Sequence, residues 1–305
     1  MAVMTSPVSS SNAVDLSRLP APKVVEPLDF ETILTAMKAD LVARKPDVAA
    51  ALTIESDPLN KLLEVCAYRE LILRQRVNDA AQAVMVAYAQ GGDLDQLAAL
   101  MGVTRLVLTP ADPENGVAAV LEGDEDLRRR VVLAPEGFTV AGPEGAYIYH
   151  ALSADADVLD ASVSSPTPGQ VVVTVLSRQG NGAASAPLLA SVAAAVSAET
   201  VRPLTDQVLV QSATIIDYSV TAQIFTYEGP DSNLVLTQAR AQLAAFVVAQ
   251  RKLGRDITRS GLYAALTAGG VQRVVLTQPA ADVAISSTQA ANLTASTVTY
   301  GGVAD

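Results

Sequence analysis

Apolar residues recur every three or four positions through the first third of the chain, a spacing typical of amphipathic helices. Asp29 is predicted to cap a first helix, whose apolar stripe runs from Phe30 to Leu41 and which ends at Pro46. Asp93 is predicted to cap a short helix that stops at a glycine. That helix covers Leu94–Met101 and stops at Gly102.

Between these two helices the pattern predicts an unusually long one. It begins at 56–58, where a capping residue precedes a proline, and no breaker follows before the glycine pair at 91–92. About 32 residues at 1.5 Å each correspond to a rod of roughly 48 Å. A core stripe and a second apolar strip predict partners on more than one side. The core stripe comprises Leu59, Leu62, Leu63, Cys66, Leu73, Val77, Ala81, Val84 and Tyr88, and the second strip Val65, Tyr68 and Ile72.

The pattern changes after residue 108. Residues 109–123 form a turn-rich connector, and the segment DEDLRRRVV that follows has the acidic start and basic end that suit a helix dipole. Alternating apolar segments bounded by turn residues then predict strands, mixed with amphipathic helices. The strands are 158–163, 171–176, 207–211, 214–227 and 271–277, and the helices are 187–198, 232–250 and 257–267.

Strands and helices mix without a strict βαβ alternation, which predicts an α+β fold. We divide the chain into an extended N-terminal arm (1–27), an all-helical module with one long helix (28–108) and two small mixed α+β subdomains (109–213 and 214–305). The prolines of the arm favour an extended backbone that can lie across a neighbour. An untethered terminus is the alternative for this segment.

A short internal repeat supports two related subdomains. The segment YHALSA from Tyr149 is followed by an apolar strand and then by Pro166. The segment YAALTA from Tyr263 is followed in the same way by a strand and Pro279. Chance similarity between alanine-rich segments is the alternative explanation.

Composition and charge argue against several functions. The 305 residues carry 21 basic and 32 acidic side chains, for a formal net charge of −11, which disfavours nucleic acid as the main partner. One cysteine and one histidine allow no intrachain disulfide, no Cys/His zinc cluster and no two-histidine metal site. No segment has the pattern of a secretory signal or a membrane span, so we expect a cytoplasm-like compartment until assembly.

The few residues that could carry chemistry lack the partners that chemistry requires. His150 lies on a predicted helix with no nucleophile or acid supplied by a local motif, so a structural role is favoured over that of a base. Cys66 falls on the apolar stripe of the long helix and is expected to act as a small hydrophobe.

Charged and glycine-rich motifs also fall short of a site. Asp155, Asp157 and Asp160 share one turn, where a calcium site is conceivable, but the glycine and terminal glutamate of an EF-hand loop are missing. The triplet 128–130 (Arg-Arg-Arg) is offset by the acidic residues at 124–126. Gly180-Asn-Gly182 lacks the spacing of a nucleotide loop. The sequence therefore predicts no catalytic, cofactor-binding or metal-binding residue, and no enzyme.

Ten short segments, in order along roughly residues 14–303, resemble the baseplate J-like proteins of contractile phage tails and of related phage-tail-like bacteriocins. No single segment is diagnostic, but the ordered set is specific. They are VVEPLDFETIL from Val24, ESDP from Glu55, AYRE from Ala67, RQRVNDAA from Arg74, GDLDQL from Gly92, AGPEGAY from Ala141, HALSAD from His150, VLSR from Val175, VRPL from Val201 and LGRDI from Leu253.

The resemblance implies a structural protein of the baseplate wedge. Two copies are expected to associate with a second wedge protein, and the wedges to join into a sixfold ring around the tail hub, near the sheath-initiator and hub-proximal proteins. The implied location is the tail baseplate of the virion, after assembly in the host cytoplasm, with no cofactor, nucleic acid or membrane. A tail-associated hydrolase and a soluble adaptor protein are the alternatives.

Overall fold

The computed structural model of the protein describes Leu16, Leu19, residues 22–229 and residues 231–304. These residues form two compact units, one ending at Thr104 and the other beginning at Arg105. The first unit is helical and the second combines helices with small mixed sheets. The fold is α+β, as the sequence predicts.

The helical unit contains α1 (Phe30–Arg44), α2 (Pro58–Ala83) and α3 (Gly91–Leu100). The predicted caps of the first two helices are confirmed. The carboxylate of Asp29 accepts a hydrogen bond from the Thr32 N–H (2.7 Å), and that of Asp57 accepts one from the Leu59 N–H (2.8 Å). These bonds satisfy N–H groups that have no partner inside the helix.

The long helix is shorter than predicted, because α2 ends at Ala83 instead of continuing to about residue 90. Its 26 residues correspond to about 39 Å. No proline or glycine marks this end. The chain turns there, and beyond the turn Ala89 and Leu94 are almost completely buried. We infer that this tertiary packing outweighs a local pattern without a breaker.

The N-cap of α3 lies three residues before the predicted Asp93. The helix begins at Gly91 with Gln90 as its N-cap, and Asp93 lies in the first turn, where a carboxylate suits the positive end of the helix dipole. The stop at Gly102 is confirmed. This glycine has a φ of 69°, a left-handed conformation that ends helices and that other residues adopt only with strain.

The second unit begins with a short antiparallel ribbon of β1 (Val107–Thr109) and β2 (Val120–Leu121), which encloses most of the segment 109–123 that was predicted as a connector. After it come α4 (Asp124–Leu133), the predicted acidic-to-basic helix, and α5 (Glu144–Ala154). The first three-stranded sheet has the order β3-β4-β5, and α6 connects β4 to β5. These elements are β3 (Val158–Ser164), β4 (Gln170–Ser177), α6 (Ala186–Val196) and β5 (Gln207–Ser212).

The second sheet has the order β7-β6-β8 and packs against two helices. Its edge strand β8 was missed by the sequence analysis, because residues 289–303 are mostly small or polar and carry no clean apolar alternation. The strand forms by parallel pairing with β6, from Thr214–Gln289 to Thr226–Val303. The elements are β6 (Thr214–Thr226), α7 (Ser232–Gln250), α8 (Arg259–Leu266), β7 (Val271–Gln278) and β8 (Gln289–Val303).

The helix–strand–proline repeat corresponds to the same local structure twice, α5 followed by β3 and α8 followed by β7. The likeness extends to the sheets. In each, the strand after the repeated helix pairs antiparallel with the central strand, and the other edge strand runs parallel to it. The central strand β4 follows its repeat, however, whereas β6 precedes it.

The two sheets share a small apolar cluster, so that residues from Arg105 onward form one compact unit. Leu176 and Ala213 pack in it against Leu253 and Ala290. The Ser162 hydroxyl also donates a hydrogen bond to the Ser287 carbonyl (2.6 Å), across the same boundary.

Candidate assembly interface and the predicted site residues

One face of α2 packs against α1, and much of the remaining surface of α2 carries apolar side chains that the chain leaves exposed. Ala67 is fully buried beside Ile33 and Leu34 of α1. By contrast, five apolar side chains of the predicted strips are 57–67% exposed. These residues, which we call the α2 apolar strips, are Leu62, Val65, Tyr68, Leu73 and Val77.

The prediction that the core stripe of α2 is buried is therefore wrong for the single chain. The buried positions of α2 are Asn60, Ala67 and Asn78, with Leu63 and Leu71 partly buried against the cluster, and Cys66 is exposed. The physical reason is that α1 is only 15 residues long and covers one face. The small Ala67 side chain allows close approach on that face, and the larger apolar side chains remain outside. A surface of this kind is typical of a protein–protein contact.

A buried amide fixes the chain segment in front of α1. Asn78 is 4% exposed, and its side chain accepts a hydrogen bond from the Glu26 N–H (3.0 Å) and donates one to the Glu26 carbonyl (2.8 Å). Arg74 also forms ion pairs with Glu26 (3.3 Å) and Glu70 (2.6 Å). The end of the predicted arm thus lies on this chain's own α2, and most of residues 1–21 fall outside the described residues.

His150 lies on α5, as predicted, with no catalytic partner in the described part of the chain. Its ring packs edge-on against Tyr149, at 5.3 Å between ring centres, and its Nε2 is buried without a hydrogen-bond partner. Burial lowers the pKa of His150, opposed by a hydrogen bond with the Gly137 backbone. Among the described residues, no nucleophile or acid forms a hydrogen bond with this imidazole.

The three predicted turn carboxylates serve different structural roles. Asp155 accepts a hydrogen bond from the Asp157 N–H (2.9 Å), and Asp157 accepts one from the Ser177 hydroxyl (2.8 Å). Asp160 is not a solvated turn residue, because it is 4% exposed inside β3. Throughout residues 22–229 and 231–304, no group of three or more His, Cys, Asp or Glu side chains could hold a metal ion.

Each arginine of the 128–130 triplet has its own carboxylate partner. Arg128 pairs with Glu125 (2.8 Å) and Arg129 with Asp160 (2.6 Å). Arg130 forms a buried, two-pronged pair with Glu122, a bond that replaces the hydration both groups lose. The glycines at 180 and 182 form a tight turn after β4, in which the Gly182 carbonyl accepts a hydrogen bond from the Ser177 N–H.

Sequence reasoning missed the role of Asp160 in joining the two sheets. Its carboxylate accepts hydrogen bonds from Arg129 of α4 and from the Leu253 N–H (2.9 Å), which follows α7. The available signal was a carboxylate inside an apolar strand, an arrangement that requires a buried partner. In a partly buried pair elsewhere in the same unit, the Tyr147 hydroxyl donates to Asp206 (2.8 Å), and burial followed by this bond raises the pKa of Tyr147.

Comparison with known proteins identifies the family. Three family models match in order: the Baseplate J-like N-terminal domain over residues 55–112, the Baseplate J-like central domain over 139–212 and the Baseplate J-like protein C-terminal domain over 218–300. Baseplate protein J of Escherichia phage P2 is 51% identical over 296 residues, which cover 95% of this chain and 98% of the relative.

Among solved structures, the cryo-EM structure of the anti-feeding prophage baseplate matches with a TM-score of 0.40 and 15% sequence identity. The match covers 58% of this chain and 43% of that chain. No helix among the described residues is long and apolar enough to cross a membrane.

The three domain matches and the near full-length relative define a class, the structural proteins of phage-tail baseplates. Within it, the chain belongs to the baseplate J-like family.

Proposed function

We propose that this chain is a structural wedge protein in the sixfold baseplate of a contractile phage tail or tail-like particle. Two copies associate with a second wedge protein, and neighbouring wedges join into a ring around the tail hub, in contact with sheath-initiator and hub-proximal proteins. The observation that carries the proposal is the exposure of the α2 apolar strips in a chain of the baseplate J-like family. Burial of those side chains against other helices supplies the free energy of a permanent assembly.

We assign the contacts within a wedge and the contacts between wedges to two different parts of the chain. The helical module, residues 28–108, holds a wedge together, because its exposed apolar helix surface suits a bundle of different chains. The second α+β subdomain, residues 214–305, makes the contact that closes the ring. Its helix α7 exposes Leu234 and Val248, which are 14 positions apart and therefore on the same helix face. A patch of this kind can meet its own copy about a two-fold axis.

We also propose that the protein performs no chemical step, in the host cytoplasm during assembly or in the virion. His150, Cys66, Asp155 and Asp157 show no arrangement of nucleophile, base and acid, which supports this proposal. Incubation of the pure protein with peptidoglycan or polysaccharide should give no turnover above that of buffer. Activity that disappears in His150→Gln would instead support a tail-associated hydrolase.

Assembly tests the wedge role directly. The chain is co-produced with the second wedge protein of the same tail, the mass of the complex is measured by light scattering, and particles are imaged by electron microscopy. A complex with two copies of this chain, which closes into sixfold rings when concentrated, is the expected result. Binding without symmetric particles would favour a soluble adaptor, and the absence of any complex would overturn the proposal.

A further inference from the structure

Four cationic side chains gather where β3, α4 and the loop after α7 meet within the second unit. Arg129 pairs with Asp160 and Arg178 with Asp126, and the charges of these two carboxylates also act on Lys252 of the loop. Arg255 of the same loop interacts with Asp160 and Arg129, and we call these four cationic residues the basic cluster. The Leu253 N–H bonds to Asp160 at 2.9 Å, and this bond places the loop against the carboxylate that also pairs with Arg129.

The acidic residues at this position are already occupied. One oxygen of Asp160 accepts hydrogen bonds from Arg129 (2.6 Å) and from the Ala161 N–H (2.9 Å), and the other accepts the Leu253 N–H. Asp126 pairs with Arg178 at 2.7 Å. Across the described ranges 22–229 and 231–304, the side chains of Lys252 and Arg255 form no hydrogen bond and no ion pair.

These two unpartnered cations are not free in water. Both residues are half-buried, and next to them Arg251 has a buried Nε that lacks a hydrogen-bond partner in the described structure. Burial, with repulsion from Arg129 and Arg255, lowers the pKa of Lys252 against the opposing effect of Asp160. Four cations thus face two carboxylates. A partly buried excess of charge is costly unless an ion of opposite charge approaches.

We propose that the basic cluster binds carboxylate groups of an acidic segment from a neighbouring protein chain, with Lys252 and Arg255 as the direct contacts. A guanidinium and an ammonium on one short loop suit carboxylate groups, to which both donate charge-assisted hydrogen bonds. The formal net charge of −11 repels long polyanions and disfavours nucleic acid as the ligand. A short acidic segment, by contrast, contacts only the basic cluster and is attracted by its local positive potential. The identity of the neighbour as a baseplate protein rests on the proposed function.

The test uses the isolated full-length chain and a fluorescein-labelled hexaglutamate peptide, with hexaglutamine as the matched neutral peptide. Fluorescence anisotropy at low salt should show binding of hexaglutamate that is at least about tenfold weaker in Lys252→Gln/Arg255→Gln. Lys23→Gln/Lys38→Gln removes the same charge from the helical unit and should bind like the wild type. Equal loss in both double variants would show a general charge effect and would overturn the site.

Two further measurements complete the test. Because the substitutions remove an excess of like charge, the melting temperature of Lys252→Gln/Arg255→Gln should be no lower than that of the wild type. If the double variant does not fold, the single variant Arg255→Gln provides the comparison. Binding of inorganic phosphate, measured by isothermal titration calorimetry, together with no binding of hexaglutamate, would assign the cluster to a free oxyanion and contradict the proposal. Because no second protein is needed, a negative result here is distinct from a failure of wedge assembly.

Discussion

The side-chain amide of Asn78, buried on α2, binds both backbone polar groups of Glu26 at 3.0 and 2.8 Å. An amide satisfies a backbone N–H and a backbone carbonyl at once because it carries a donor and an acceptor side by side. The chain that leads into α1 is thereby attached to α2, 52 residues further along the sequence. These two hydrogen bonds hold Glu26, near the end of the predicted arm, in a defined position on α2.

Asn78→Ala should lower the free energy of unfolding by about 1 to 3 kcal/mol, because it leaves two backbone groups of Glu26 without their partners. Denaturant unfolding followed by circular dichroism measures the change. Gln75→Ala is the control, since Gln75 bonds Asp79 on the exposed face of the same helix and its loss should cost little. Equal changes in the free energy of unfolding for the two substitutions would show that the Asn78 contact contributes no more to stability than an exposed side-chain bond.

Leu62→Asp and Val77→Asp should leave the chain folded and prevent wedge formation. Both side chains are more than half exposed in the chain, so a carboxylate there stays hydrated until a partner helix covers it. Association with the second wedge protein is expected to weaken at least about tenfold, as measured by co-purification and light scattering. Leu204→Asp, at a position 96% exposed outside the helical unit, is the matched control. Normal wedges from both α2 variants would rule out the α2 apolar strips as the contact.

Leu234→Asp/Val248→Asp should yield wedges that form in solution and do not join into rings. Point variants are preferable to deletion of residues 214–305, because Leu253 and Ala290 complete the cluster that covers Leu176. A deletion would expose that cluster and confuse misfolding with a lost contact. Electron microscopy of concentrated wedges gives the readout. Rings that persist in the double variant would overturn the assignment of α7, and wedges that fail to form would place it inside the wedge.

Stability should fall as the pH is lowered below about 6.5, in part through His150. Burial lowers the pKa of His150 in the folded chain, so the unfolded chain, with an ordinary histidine pKa, takes up the proton first. Protonation of the unfolded state then favours unfolding. The difference in melting temperature between pH 7.5 and pH 5.5 should be smaller in His150→Gln than in the wild type. An identical difference in the two proteins would show that His150 contributes nothing to the pH dependence.

Local patterns predict most elements of this protein, because helix caps and apolar periodicity act over a few residues. Asp29 and Asp57 cap helices as expected, and the helix–strand–proline repeat marks equivalent positions of two sheets. One exception is β8, whose residues gain their order from pairing with β6, a strand some 75 residues earlier. A strand of that kind carries little signal of its own.

The sequence by itself determined the α+β class, the family and the lack of a recognisable catalytic motif, since these depend on local spacing and on the order of short motifs. Only the tertiary structure decided which side of α2 is buried, because that depends on the length of α1 and on the small side chain at Ala67. It also decided the partners of Asp160, which come from α4 and from the loop after α7. The groups that contact Asp160 are far from it in sequence, and the periodicity of a single segment cannot predict a contact between distant segments.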